Sequence, residues 1–263
     1  MKFGIVFNSE NKKAKDLARE IEGFILQKGH KALGEKSLVG ADVIISLGGD
    51  GTLIHKSCEF ASLGVPFVGI NTGNLGFLTA VEAGDWREAT LQLLRGEYFV
   101  SERITLAAKI AGREVFRAVN EVAIKGFYRV VDLEISVGEE RLLRILGDGV
   151  IVSTQTGSTA YSLSAGGPIV DPSLDCLLLT PINPIGLPIP SLVISPDSEV
   201  NIKVIKGDDI SLVLDGQEHT KLSKDNVKIS KGEYKIKFIY FEKNQFIKSL
   251  NAKFGLSNRL VGK

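Results

Sequence analysis

Residues 43–61 read VIISLGGDGTLIHKSCEFA, and their order of textures decides the fold. Val43 to Leu47 is a short apolar run bounded by glycine, the signature of a buried strand. Thr52 to Ala61 carries apolar residues at helical spacing. Between them stands Gly48-Gly49-Asp50-Gly51-Thr52. A glycine turn from a buried strand into a helix belongs to an open α/β sheet, where ligands gather beyond the carboxyl ends of the strands. Three glycines let successive backbone N–H groups converge on an anion, and the helix starting at Thr52 adds its positive dipole end. The turn lacks the Gly-Lys-Ser/Thr ending of a Walker A loop and the spacing of a dinucleotide GxGxxG turn. Taken alone it reads equally well as a tight turn in which Asp50 caps the helix.

Outward from this turn the alternation continues. Lys2 to Phe7 predicts a strand, Asn11 to Lys28 a helix, Val65 to Ile70 a strand and Gly84 to Arg95 a helix. Strands alternating with helices predict a parallel, Rossmann-like sheet covered on both faces. A second polar turn, Asn71-Thr72-Gly73-Asn74-Leu75-Gly76-Phe77, follows the strand next to the first turn and is expected to lie beside it.

Beyond about residue 97 the pattern becomes period two. Ile104–Ile110, Val115–Ile124, Val131–Val137, Leu142–Leu146, Val200–Ile205, Ile210–Leu214, Val227–Ile229 and Tyr234–Phe241 predict antiparallel strands. The fold class expected is therefore an α/β N-terminal domain, residues 1–98, and an all-β C-terminal domain, residues 99–242. The helical stretch from Asn244 to Phe254 is expected to pack back on the first, as part of a terminal segment 243–263.

Within the second half, Gly149 to Val170 contains no charged residue and is crowded with Ser, Thr and Gly. Ser158 suits an N-cap, Thr159 to Ser164 a short helix, and Gly166-Gly167-Pro168 its end. Asp148 precedes this segment, which suits a polar ligand that hydrogen-bonds without needing a counter-charge. Cys176 to Pro196 is also uncharged, but five prolines interrupt it, so it predicts strand, loop, strand rather than a membrane span.

Composition bounds the partners. The formal net charge is +1, which argues against a broad basic face for nucleic acid. The two cysteines, Cys58 and Cys176, and three histidines show no zinc spacing, and a reducing compartment suits them. The N-terminal apolar run is too short for a signal peptide. A cytoplasmic, soluble protein without nucleic-acid or membrane partners is expected.

Four segments together resemble the NAD kinase family: GGDGT at Gly48–Thr52, NTGNLGFL at Asn71–Leu78, NE at Asn120-Glu121, and GDGVIVSTQTGSTAYSLSAGGP at Gly147–Pro168. GGDGT alone is shared with lipid kinases and, loosely, with phosphofructokinases; the long second-half segment makes the resemblance specific. It implies phosphoryl transfer from ATP, or another donor, to the 2′-hydroxyl of the adenosine ribose of NAD, with Mg²⁺ on the donor phosphates. It implies a dinucleotide held between the two domains and a homodimer or homotetramer. Asp50 matches the family's proton acceptor. Gly48, Gly49, Gly51, Thr52, Asn71 and Gly73 match the phosphate-binding turns. Asn120 and Glu121 match the residues on the adenosine and its ribose hydroxyls. Asp50, Gly51, Asp148, Thr159, Ala160, Tyr161, Ser162, Ser164 and Asn183 match further dinucleotide contacts, and His55, Arg129 and Gln217 look by position like additional ones. The metal ligands are left unnamed.

The chain departs from the family pattern at three places. Gln155 stands where a proline is usual, which is expected to loosen that turn. Leu146 stands where a basic residue is usual; Arg144, one alternate position upstream, replaces it only if the strand register allows. The loop Pro181–Ser191 lacks the usual basic residue. Two other readings remain open from the residues: a kinase of a lipid or sugar hydroxyl, and a dinucleotide sensor without turnover.

Overall fold

The computed structural model describes residues 1–73, 76–110, 115–186 and 188–255. The chain divides into two compact units, Met1–Glu102 with Ile236–Lys263, and Arg103–Lys235.

The first unit begins with β1 (Lys2–Phe7), α1 (Lys12–Gln27), β2 (Lys31–Gly34) and β3 (Val43–Leu47). It continues through α2 (Asp50–Glu59), β4 (Phe67–Asn71), β5 (Val81–Glu82), α3 (Trp86–Arg95) and β6 (Phe99–Arg103). Asn11 starts α1 by accepting the Ala14 N–H on its side chain, and Gly96 ends α3 in the left-handed conformation. Leu17, Ile21 and Ile25 of α1 and Trp86, Ala89 and Leu93 of α3 share one core with Phe3, Ile5, Val43, Ile45 and Val68 of the sheet.

The second unit holds β7 (Leu106–Ile110), β8 (Val115–Ala118), β9 (Glu121–Gly126), β10 (Val131–Val137), β11 (Glu140–Gly147) and β12 (Gly149–Thr154). A four-residue helix, α4 (Tyr161–Ser164), follows, then β13 (Leu177–Ile182), β14 (Leu192–Ile194), β15 (Val200–Lys206), β16 (Ile210–Leu214), β17 (Glu218–Leu222) and β18 (Asn226–Lys231). Two six-stranded antiparallel sheets form, ordered β11-β10-β15-β18-β7-β8 and β14-β13-β12-β9-β16-β17. Alternate residues of both, among them Leu133, Ile135 and Ile202 from one and Val122, Ile124, Val150 and Val152 from the other, build a common core. The opposite parity of β9, β12, β13 and β16 (Glu121 and Ala123, Ile151 and Ser153, Thr180 and Ile182, Val213) therefore faces away from that core. Ala123, Ile151 and Ile182 there pack with Tyr161 and Ala165 of the α4 segment.

Two expectations need correction. The last strand, β19 (Ile236–Tyr240), does not join the antiparallel half: it pairs parallel to β4, in the sheet ordered β2-β1-β3-β4-β19-β6 with β5 beside β4. β6 lies at the far end of the same sheet, so residues 99–102 and 236–241 belong with the first unit. The alternation of Tyr234–Phe241 specifies a strand but not its partner. Second, Val115–Ile124 is not one strand: the chain leaves one sheet after Ala118 and enters the other at Glu121. The final helix, α5 (Gln245–Phe254), starts where the spacing placed it and belongs to the first unit; residues 256–263 lie outside the described residues.

Candidate functional site

In the first unit, β3 delivers Gly48 to the carboxyl edge of the sheet, and Gly49, not Asp50, is the N-cap of α2. The helix thus starts at Asp50, two residues earlier than expected, and no side chain caps it. Asp50 occupies the first turn, where a negative charge complements the helix dipole. Its carboxylate spans to the second turn. Oδ2 accepts the Phe77 N–H at 2.6 Å, and Oδ1 accepts the N–H of Leu78 at 3.2 Å, the N–H of Thr79 at 3.0 Å and the Thr79 hydroxyl at 3.2 Å. Oδ1 is saturated by these donors, while Oδ2 keeps a lone pair. The approach is close enough that a Cβ on Gly76 would lie 1.8 Å from Asp50 Oδ1.

The second turn is held from within as well. Asn71 Oδ1 accepts the Gly73 N–H at 2.8 Å, and Gly48 N–H donates to Ile70 O at 3.0 Å. Gly48, Gly49, Asp50, Gly51, Thr52, Asn71 and Gly73 are therefore brought together, with Gly49, Gly51 and Gly73 exposed. Asn74 and Leu75 lie outside the described residues.

In the second unit the polar residues gather on the outward parity of β9, β12 and β13. Glu121 is 5% exposed, and its carboxylate accepts the Tyr161 N–H. Its Oε2 and the Oδ1 of Asn120 are buried without a partner. Buried polar atoms of that kind carry a desolvation cost unless something else bonds to them. Thr154 ties the neighbouring turn to the same place: its N–H donates to Asn120 O at 2.9 Å and its hydroxyl to Val119 O at 2.7 Å. The Thr154 Oγ1 in turn accepts the N–H groups of Thr156 and Gly157. Asn183 donates to Asp148 Oδ2 at 2.8 Å, so the proline-rich loop begins folded onto the Gly147-Asp148-Gly149 corner. Ser162 and Thr180 share a hydroxyl hydrogen bond of 2.9 Å beneath α4.

The matches with known proteins also fall in two parts. Residues 30–98 match the family model described as the ATP-NAD kinase N-terminal domain, and residues 119–241 that of the ATP-NAD kinase C-terminal domain. A protein named NAD kinase from Clostridium botulinum is 37% identical over 276 residues, covering 97% of this chain and 97% of that protein. The chain belongs to the NAD kinase family. Another relative so named, from Symbiobacterium thermophilum, is 42% identical over 81% of this chain and 78% of its own. The crystal structure of an NAD kinase from Archaeoglobus fulgidus in complex with ATP superimposes with a TM-score of 0.78 at 26% identity, covering 100% of both chains.

Within this NAD kinase framework Glu121 has unusual electrostatics. Burial, chiefly, and then the nearby Asp215 carboxylate push its pKa up to about 8, against a counteracting pull from the Tyr161 N–H. Burial likewise raises Tyr161, helped by Asp148 and Glu121. From the ordinary 4.5 up to about 8, the folded chain binds a proton at Glu121 that the unfolded chain releases. Stability attributable to this group therefore falls as pH rises through that window. Glu121→Gln is expected to remove that fall, so the melting temperatures of variant and parent, followed from about pH 5 to about pH 9, diverge in the variant's favour at the alkaline end. Parallel curves would show that Glu121 is ionised in the fold.

Other expected positions fall further out. His55 is exposed on α2, 4.0 Å from Glu59. Arg129 sits on an exposed turn 3.6 Å from Asp208, and Gln217 on the exposed turn after β16. Ser164 is exposed, whereas Thr159, Ala160 and Tyr161 are half-buried and Ser162 is fully buried. Ser158 does not cap α4. It lies inside a short 3-10 turn, Gly157–Thr159, and its Oγ accepts the Val170 N–H. Arg144 faces the same side of β11 as Leu146, but its guanidinium is committed to a two-pronged pair with Asp132 at 2.7 and 2.5 Å, which holds the Asp132 carboxyl below its ordinary range. Gln155 does not loosen its turn: it is 1% exposed and donates to Asp175 Oδ1 at 2.8 Å.

Three contributors were not read from the sequence: Thr79, Thr154 and Asp215. Thr79 lies just past the second turn, where nothing local marks it, and Thr154 is one of many hydroxyl residues in the Gly149–Val170 segment, whose composition does not single it out. Asp215-Gly216 after the apolar run Ile210–Leu214 is a turn signal, and it was the available clue.

Proposed function

We propose that the chain transfers the terminal phosphoryl group of Mg-ATP to the 2′-hydroxyl of the adenosine ribose of NAD. The observation that carries this reading is the buried pair of unpartnered acceptors, Asn120 Oδ1 and Glu121 Oε2, beside the hydroxyl-rich turn. A carboxyl group that keeps its proton near neutral pH both donates and accepts, which matches a sugar hydroxyl that does the same. The Tyr161 N–H already reaches Glu121; Asp148, Asn183 and Ser162 offer further hydrogen-bonding groups elsewhere in the second unit, while Thr159, Ala160, Ser164, His55, Arg129 and Gln217 serve as outer contacts.

In the first unit the Gly48–Thr52 turn and the Asn71–Gly73 turn receive the donor phosphates on backbone N–H groups. Asp50 accepts the ribose proton through the lone pair left on Oδ2 as the oxygen attacks phosphorus. Phosphoryl transfer passes through a loose transition state, so these residues act chiefly by positioning. Among the described residues no cluster of three or more His, Cys, Asp or Glu side chains is arranged to hold a metal. A magnesium ion carried on the nucleotide would keep most of its waters and neutralise phosphate charge.

The domain assignment follows: the first unit binds the phosphoryl donor and the second the dinucleotide. A homodimer or homotetramer in the cytoplasm, where NAD and ATP are both at hand, completes the reading. Cys58 and Cys176 are in no disulfide, and no helix among the described residues is long and apolar enough to cross a membrane. The lipid- or sugar-kinase reading rests on GGDGT alone, whereas the family match also spans the second unit.

Incubation of the purified protein with Mg-ATP and NAD is expected to yield NADP, detected by an NADP-specific dehydrogenase. Label passing from ATP to diacylglycerol or a sugar with no NADP formed would refute the assignment. Binding of NAD without turnover, with ATP and polyphosphate both tried, would instead support a sensor.

A further inference from the structure

Between β8 and β9 the chain crosses from one sheet of the sandwich to the other through Val119 and Asn120. A backbone that changes sheets leaves donors and acceptors without ladder partners, and in a buried corner they need other partners. The acceptors are served by Thr154, as above. The donors converge on one carboxylate. Asp215 Oδ2 accepts the Val119 N–H at 2.9 Å, and Oδ1 accepts those of Asn120 at 2.7 Å and Glu121 at 3.1 Å. The Asp215 N–H returns a bond to Glu121 O at 3.0 Å. Asp215 adopts φ +49, a left-handed conformation that Asn and Asp tolerate best among residues with a Cβ.

We propose that Asp215 is a positioning residue for the sugar-binding pair. Its carboxylate holds the Val119–Glu121 backbone, and through it the Asn120 and Glu121 side chains, in the arrangement that receives the dinucleotide. This rests on the NAD reading above and adds to it a residue that makes its contribution through others. The same carboxylate is a negative charge facing Glu121 from the end of β16. The other group on Glu121 is Tyr161, which gives its N–H; Asp148, whose charge acts on Tyr161, and Lys125, whose ammonium lies 5.8 Å from the Tyr161 ring centre, stand further along the strands. Of these, Asp215 is the charged group that directly disfavours an ionised Glu121.

Asp215→Asn tests the idea, because asparagine keeps the left-handed turn but removes the charge and turns an amide donor toward the Val119 N–H. The variant is expected to raise KM for NAD about tenfold while kcat changes less than about threefold. The alkaline limb of kcat/KM, where Glu121 loses its proton, is expected to move to lower pH by about one unit. A folded variant with the parent's KM and limb overturns the proposal. A raised KM with an unmoved limb also overturns it, since it reduces Asp215 to a corner of the fold. Should the variant not fold, amide hydrogen exchange on the parent enzyme decides. The N–H groups of Val119, Asn120 and Glu121 should exchange as slowly as those inside β9, and fast exchange overturns the proposal. NADP formation by the parent enzyme tests the underlying reading separately.

Discussion

Asp50→Asn is expected to lower kcat for NADP formation by about two to four orders of magnitude while leaving NAD affinity within about threefold. The carboxylate is built into the edge of the sheet by four donors, three of them backbone N–H groups of residues 77–79. Such a group is held in place before substrate arrives, and the remaining lone pair on Oδ2 is where a proton can be taken. An amide at this position has no basic oxygen to spare, and its NH₂ faces the Phe77 N–H donor at close range. Turnover should collapse. Steady-state rates together with calorimetric NAD titration check both halves of the expectation. Thr79→Val separates the tether from the chemistry: it removes one of the four bonds and keeps the carboxylate, so its effect on kcat should be far smaller. An Asp50→Asn enzyme with the parent's kcat would remove Asp50 from its role.

Gly157→Ala is expected to cost about 3 kcal/mol or more of stability and to weaken NAD binding at least about tenfold. A Cβ at residue 157 would lie 2.2 Å from Asn120 O and 2.6 Å from its carbonyl carbon. Overlap with a flexible side chain is relieved cheaply, but this is backbone, and it cannot retreat. Asn120 is bonded on its carbonyl side by Thr154 and on its N–H side by Asp215. The added methyl must therefore displace either the Gly157 turn or the sheet-crossing corner, and both carry residues assigned to the dinucleotide. Denaturant unfolding and calorimetry with NAD measure the two effects. The parent's stability and affinity in this variant would show that the turn and the corner are not in contact.

Much of this architecture was legible in the residues. The apolar run of β3 followed by glycines, and the helical spacing after Asn11 and Asn244, are local signals, because backbone sterics and side-chain periodicity act within a few positions. Strand β1, strand β3 and helix α5 start and stop at or within a residue of where spacing placed them. In Glu121-Val122-Ala123-Ile124 the residues at even positions fill the sandwich core, which turns Glu121 outward, a parity that the apolar Ala123 hides in the sequence. Boundaries failed where the signal was not local. Val115–Ile124 reads as one strand because its apolar residues continue on both sides of Asn120; only the change of sheet breaks it.

By itself, then, the sequence determined the two textures, the glycine turn after β3 and the segments that carry the family resemblance. Each depends on residues within a turn or two of one another. Tertiary structure alone decided that β19 joins the parallel sheet, that Asp50 is tied to residues 77–79, and that Asp215 serves the corner at Val119–Glu121. It also decided that Arg144 is committed to Asp132 and Gln155 to Asp175. The reason is the same in each case. A backbone or side-chain hydrogen bond selects its partner by proximity and direction, and between residues far apart in the chain both are set only when the sheets close.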